Sequence, residues 1–135
     1  MIHGGQKVLR DALIAALRSG RYKKAGGSLR SGDCFCVLGV ACDVYDPEKW
    51  SSRPSTIDAG HWVDTYMDGS ASSLPLQVAK DYGFVDQWGQ AAVVVELLDS
   101  TFAVSLADLN DDGDADFAKI ADLLEDGYFW KENQK

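Results

Sequence analysis

From Gln6 to Ser19 the apolar residues Leu9, Leu13, Ala16 and Leu17 recur at three- and four-residue spacing, with Ile14 beside them. That period predicts an amphipathic helix, and Gly20 supplies its stop. The stretch "RYKKAGGSLRSGD" then loses the period and reads as an exposed loop or a short turn-linked strand. Over residues 34–45, Phe35, Leu38, Gly39 and Cys42 form one helical stripe, while Val37, Val40, Ala41 and Val44 fill the other faces. A helix that is apolar nearly all round belongs at the centre of a fold. Asp33 stands where its N-cap is expected, and Pro47 lies just past its end.

"DPEKWSSRPSTIDAG" has the Pro, Ser and Gly content of a loop. In "HWVDTYMDG", Trp62, Asp64, Tyr66 and Asp68 alternate with Val63, Thr65 and Met67, which predicts a strand closed by Asp68-Gly69. "LPLQVAKDYGF" predicts a short helix with Pro75 in its first turn and Gly83 as its stop. Between 91 and 105, the run Val93 to Val95, a turn at Asp99-Ser100 and the run Phe102 to Val104 favour a hairpin, although Val94, Leu97 and Leu98 also fit a helix. Residues 116–125 predict a helix with Phe117, Ile120, Ala121 and Leu124 inward and Asp114 or Asp116 as its cap. No repeat interrupts this order. The expected fold is one α+β domain over residues 1–135, its central apolar helix packed by the N- and C-terminal helices and a small antiparallel sheet.

Length and composition agree with that picture. At 135 residues and 46% hydrophobic, the chain can bury a core without disulfide staples. Three cysteines at irregular spacing argue against a secreted disulfide framework. The opening "MIHGGQKVLR" lacks the apolar run of a signal peptide, and no stretch is long enough to span a bilayer. The expectation is a cytosolic protein with reduced thiols and no membrane association. Net charge is −8, which disfavours long nucleic acid as a partner. Its distribution changes the picture: residues 1–30 carry +6, with seven Lys or Arg against Asp11, and the remainder carries −14. Either the two charged parts offset each other within one fold or between subunits, or the basic part forms a local anion site within an acidic protein.

The basic loop is the first candidate. Arg21, Lys23, Lys24 and Arg30 surround Tyr22 and the paired Gly26-Gly27. Arginine forks onto phosphate, glycine backbone permits close approach, and tyrosine stacks on a base. The spacing is not that of a phosphate loop with its closing lysine and hydroxyl. The loop is either a solvated basic turn or a site for a small anionic ligand or an acidic partner surface, with Arg21 and Arg30 expected to contribute most in the second case. A homodimer would enclose such a ligand better than one loop alone.

Two alternatives use other residues. Cys34 or Cys36, near a helix start that favours thiolate, with His61 as base, would make a cysteine-dependent hydrolase. The orienting third group of such a site is not singled out by the sequence, and no catalytic residue is assigned. Zinc is not expected, because Cys36 and Cys42 point to different helix faces and His3 and His61 are the only histidines. "DLNDDGDADFAK" follows the early calcium-loop pattern with Asp108, Asn110, Asp112, Gly113 and Asp116, but Lys119 stands where a bidentate carboxylate belongs. A turn with a capped helix is the simpler account of residues 108–119. No metal and no cofactor are expected.

Three stretches in order, "LIAALRSGRYKKAGGSLRSGDCFCVLGVACDVY", "LPLQVAKDYGF" and "LADLNDDGDADFAKIADLLE", resemble a family of small proteins from bacteriophage and prophage genomes. Its pattern joins L-R-S-G-x-Y to F-C-x-L-G-V-x-C-D, continues with L-P-x-x-V-A, and closes with L-N-D-x-G and F-x-x-I-A-D. The resemblance implies a protein made during infection or lysogeny in bacterial cytoplasm. It carries no assigned activity, so it lends no catalytic residue. His61 lies outside the matching stretches, Asp108 is not part of the pattern, and residues 46–73 depart from it. With that context, the sequence favours a non-enzymatic binding module. It would act in counter-defence by sequestering a small anionic, nucleotide-like ligand, or by binding an acidic host protein.

Overall fold

The computed structural model describes residues 5–24, 28–67, 69–90, 95–97, 100–102, 105–111 and 116–133. The fold is α+β. Helix α1 (Gln6–Arg18) buries Leu9, Leu13, Ala16 and Leu17, the stripe its sequence predicts. Helix α2 (Val37–Tyr45) buries every residue except Asp43. Packed against α1 are both α2 and α5 (Phe117–Glu125). Phe117, Ile120, Ala121 and Leu124 of α5 are all buried, and the Asp116 carboxylate accepts from the Lys119 amide at 2.8 Å as N-cap. On the outside of the α1–α5 seam, Arg18 donates to Asp122 at 2.7 Å and to Glu125.

Helix α2 begins three residues later than its sequence suggests, and Asp33 is not its cap. Cys34–Phe35 form strand β3, which pairs in parallel with β1 (Lys23–Lys24) and antiparallel with β2 (Arg30–Ser31). Cys36 takes the N-cap position, with its Sγ accepting from the Gly39 amide at 3.3 Å. Pairing on both sides holds Cys34 and Phe35 extended, which outweighs the helical period of their side chains. The free amide of Val37 is capped from elsewhere in the chain, by the buried Oδ1 of Asn110 at 2.8 Å.

After α2, Asp46 accepts from Glu48 and starts the 3-10 turn Pro47–Lys49. The stretch expected to be a loop then forms strand β4 (Trp50–Pro54), antiparallel to β5 (Trp62–Tyr66), with Trp50 opposite Tyr66 and Pro54 opposite Trp62. Ser51, Ser52, Arg53 and Pro54 are exposed, so nothing in their own pattern announces a strand. The partner supplies it. Asp68, half of the expected closing turn, lies outside the described residues.

Helix α3 (Leu76–Tyr82) follows Pro75 and ends on Gly83, whose φ of 84° is left-handed and whose amide reaches the carbonyls of Ala79 and Lys80. Strands β6 (Val95–Leu97) and β7 (Ser100–Phe102) pair antiparallel, so the ambiguous segment is a hairpin where described. Val93, Val94, Leu98, Asp99, Ala103 and Val104 lie outside the described residues. Helix α4 (Leu106–Asp111) packs on α2. After α5, Phe129 and Trp130 fold back into the core, and the Trp130 indole donates to Leu124 O at 3.0 Å. Among the described residues no helix is long and apolar enough to cross a membrane.

Candidate functional site

The basic loop does not fold into one cluster. Arg30, on β2, lies over the Trp50 ring with its Cζ 4.3 Å from the centroid, and donates to Asp64 at 3.3 Å. The Asp64 carboxylate also accepts from the Gly32 amide at 3.2 Å, which ties the β2–β3 turn to β5. Arg30 is thus a pin between two sheets. Lys23 and Lys24, on β1, are exposed, and Lys23 stands 3.5 Å from Asp33.

Tyr22 and Arg21 take a different position, against α1 and α2. The Tyr22 hydroxyl donates to Asp43 Oδ2 at 2.6 Å, and the Trp50 indole donates to Asp43 Oδ1 at 3.0 Å. Phe35 stands edge-on between the two rings, 5.0 Å from Tyr22 and 5.9 Å from Trp50, and Trp50 continues the ladder to Tyr66 at 4.9 Å. Burial, together with the hydrogen bond to the Asp43 carboxylate, holds the Tyr22 hydroxyl well above the ordinary tyrosine pKa, so it stays protonated and keeps donating.

Beside this ladder runs a groove of about 370 Å³, floored by Ala12, Ala15 and Ala16 of α1. Arg21, Tyr22 and Asp43 line it with polar side chains. Such a volume falls within the range of roughly 300–1,000 Å³ usual for small-molecule sites. Arg21 is exposed, and among the described residues its guanidinium has no carboxylate partner. Sequence reasoning missed Asp43 and the alanine floor. One signal was available: Asp43 is the lone charged residue in the apolar run Val37–Tyr45.

The thiols and the acidic loop are placed otherwise. Cys36 and Cys42 are buried and Cys34 is half-buried; none of the three is in a disulfide. Cys36 borders a smaller cavity of about 190 Å³ with Ser28, Ser72, Trp88 and Asn110, and among the described residues no charged side chain lines it. His61 sits on the exposed turn of the β4–β5 hairpin with its Nε2 3.6 Å from Asp58. No hydrogen bond joins it to Cys34 among the described residues. Of the calcium pattern, Asn110 caps α2, Asp116 caps α5, and Asp108 exchanges hydrogen bonds with Ser105. Asp112 and Gly113 lie outside the described residues, as does Asp114. Among the described residues no group of three or more His, Cys, Asp or Glu is gathered for a metal.

Residues 6–128 match the family model described as "Domain of unknown function (DUF8296)". The chain belongs to that family. The match runs from the first turn of α1 to the turn beyond α5, so in DUF8296 the groove and the aromatic ladder both fall within the family's domain. No curated protein and no solved structure matches the chain.

Proposed function

We propose that this DUF8296 protein is a non-enzymatic binding module that takes a small anionic, nucleotide-like ligand in the groove between Arg21 and the α1 alanines. One observation carries the reading: Arg21 is a cation without a carboxylate partner among the described residues, at the edge of a ligand-sized groove, in a protein of net charge −8. The neighbouring cations Lys23 and Arg30 face Asp33 and Asp64, so the ligand site contracts from the whole loop to Arg21 and Tyr22. The phage-type context suggested by the sequence gives such a module a role in host cytoplasm: it would disarm defence by sequestering a nucleotide signal. An acidic host-protein surface is the competing occupant, and the groove's volume of about 370 Å³ favours the smaller one.

Titration calorimetry with adenosine monophosphate tests the reading. A charge-assisted contact to phosphate contributes about 1.5–3 kcal/mol, so Arg21→Ala should weaken binding at least about tenfold. Arg21 is exposed, and the melting temperature should stay where it was. Equal affinity of the wild type and Arg21→Ala, or no binding by either, overturns the proposal.

A further inference from the structure

We infer that Asp43 selects the groove's ligand, which must carry a pair of hydrogen-bond donors, such as the vicinal hydroxyls of a ribose, beside its anionic group. This deepens the proposed function and rests on it. Asp43 lines the same groove as Arg21 and is half-buried at the edge of α2. For a bare anion the two residues oppose each other, since whatever Arg21 attracts the Asp43 carboxylate repels. A ligand with donors gains from both.

The carboxylate is held in place for this task. An ionised carboxylate has about four acceptor positions. Two neighbours take one on each oxygen: Tyr22 on Oδ2 at 2.6 Å and the Trp50 indole on Oδ1 at 3.0 Å. Each oxygen keeps acceptor capacity, which suits two adjacent hydroxyls. Edge-on contacts with Phe35 position the Tyr22 and Trp50 rings, and Arg30 covers the Trp50 ring. The two donors are thus held in place, and the carboxylate rotates away only by losing both hydrogen bonds. Acidic side chains read ribose hydroxyls in the same manner in dinucleotide-binding folds.

The test compares three probes on the full chain by calorimetry: adenosine monophosphate, its dideoxy analogue lacking both ribose hydroxyls, and inorganic phosphate. Adenosine monophosphate should bind about tenfold or more tightly than the dideoxy analogue, and phosphate should be weakest. If the analogue binds as well as the parent while Arg21→Ala still abolishes both, the groove binds anions and Asp43 does not select, which overturns this inference alone. If no probe binds, or binding ignores Arg21→Ala, the proposed function falls and this inference with it. Asp43→Asn adds a second measurement where it folds: it should erase the preference for hydroxyls while binding phosphate no worse. A preference that survives in Asp43→Asn also overturns the inference.

Discussion

Gly39 rides directly on the backbone of Leu29: a Cβ at residue 39 would lie 1.7 Å from the Leu29 carbonyl oxygen. That same oxygen accepts from the Cys36 amide at 3.1 Å, so it cannot move aside without losing a hydrogen bond at the start of α2. Leu29 is fully buried and its amide is bound to Ala71 O at 2.7 Å. The close approach of α2 to the residue preceding β2 is therefore fixed from both sides. Gly39→Ala should destabilise the protein by about 3 kcal/mol or more, through overpacking against backbone. Denaturant unfolding checks this, and an unchanged midpoint would refute it.

The capping thiol makes a finer prediction. Cys36→Ala removes the acceptor for the Gly39 amide and should cost about 1 kcal/mol, whereas Cys36→Ser keeps an acceptor and should cost less. In native buffer, iodoacetamide should modify Cys34 first, with Cys36 and Cys42 reacting only as the fold opens. Rapid modification of both buried thiols would contradict the packing described.

Asn110 is 2% exposed and its Oδ1 accepts from Val37 N across 73 residues of sequence. Replacing it with alanine leaves a buried amide at the start of α2 without this acceptor. The expected loss is about 1–3 kcal/mol, read by thermal or chemical unfolding. Because Asn110 and Asp116 already serve as caps, adding calcium should not raise the melting temperature; a clear rise would restore the calcium reading of residues 108–119.

Arg10 closes the chain on itself. Its guanidinium lies 4.0 Å from the Trp130 ring centroid, its Nε donates to Tyr82 O at 2.8 Å, and its two terminal nitrogens grip Glu132 at 2.7 and 2.8 Å. The hydrogen bonds from Arg10 hold the Glu132 carboxyl down to about 2, from an ordinary 4.5. A carboxylate with a lowered folded pKa stabilises fully above its unfolded pKa, and that stability is lost as pH falls toward the folded one. The gap between wild type and Glu132→Gln should be constant above about pH 5 and close between roughly pH 4.5 and 2. Since Glu132 is more than half exposed, screening limits the gap to no more than about 1 kcal/mol. A gap that stays flat on acidification would show that the pair does not form.

The local code of this chain was strong where one element buries one stripe. Leu9, Leu13, Ala16 and Leu17, or Phe117, Ile120, Ala121 and Leu124, announce helix and inward face together, because the 3.6-residue period ties burial to sequence spacing. Pro75 and Gly83 likewise mark the ends of α3 through their own backbone preferences. Where a partner far along the chain decides the conformation, the sequence was silent or misleading. Phe35 continues the helical stripe of α2 yet is extended with Cys34, held between β1 and β2; Ser51 to Pro54 look like loop yet pair with β5. The basic loop was legible as charge, but not as function. Charge is a property of composition, whereas availability depends on which carboxylate folding places opposite each cation. Folding gave Arg30 to Asp64 and Trp50, set Asp43 beside Tyr22, and left Arg21 facing the groove.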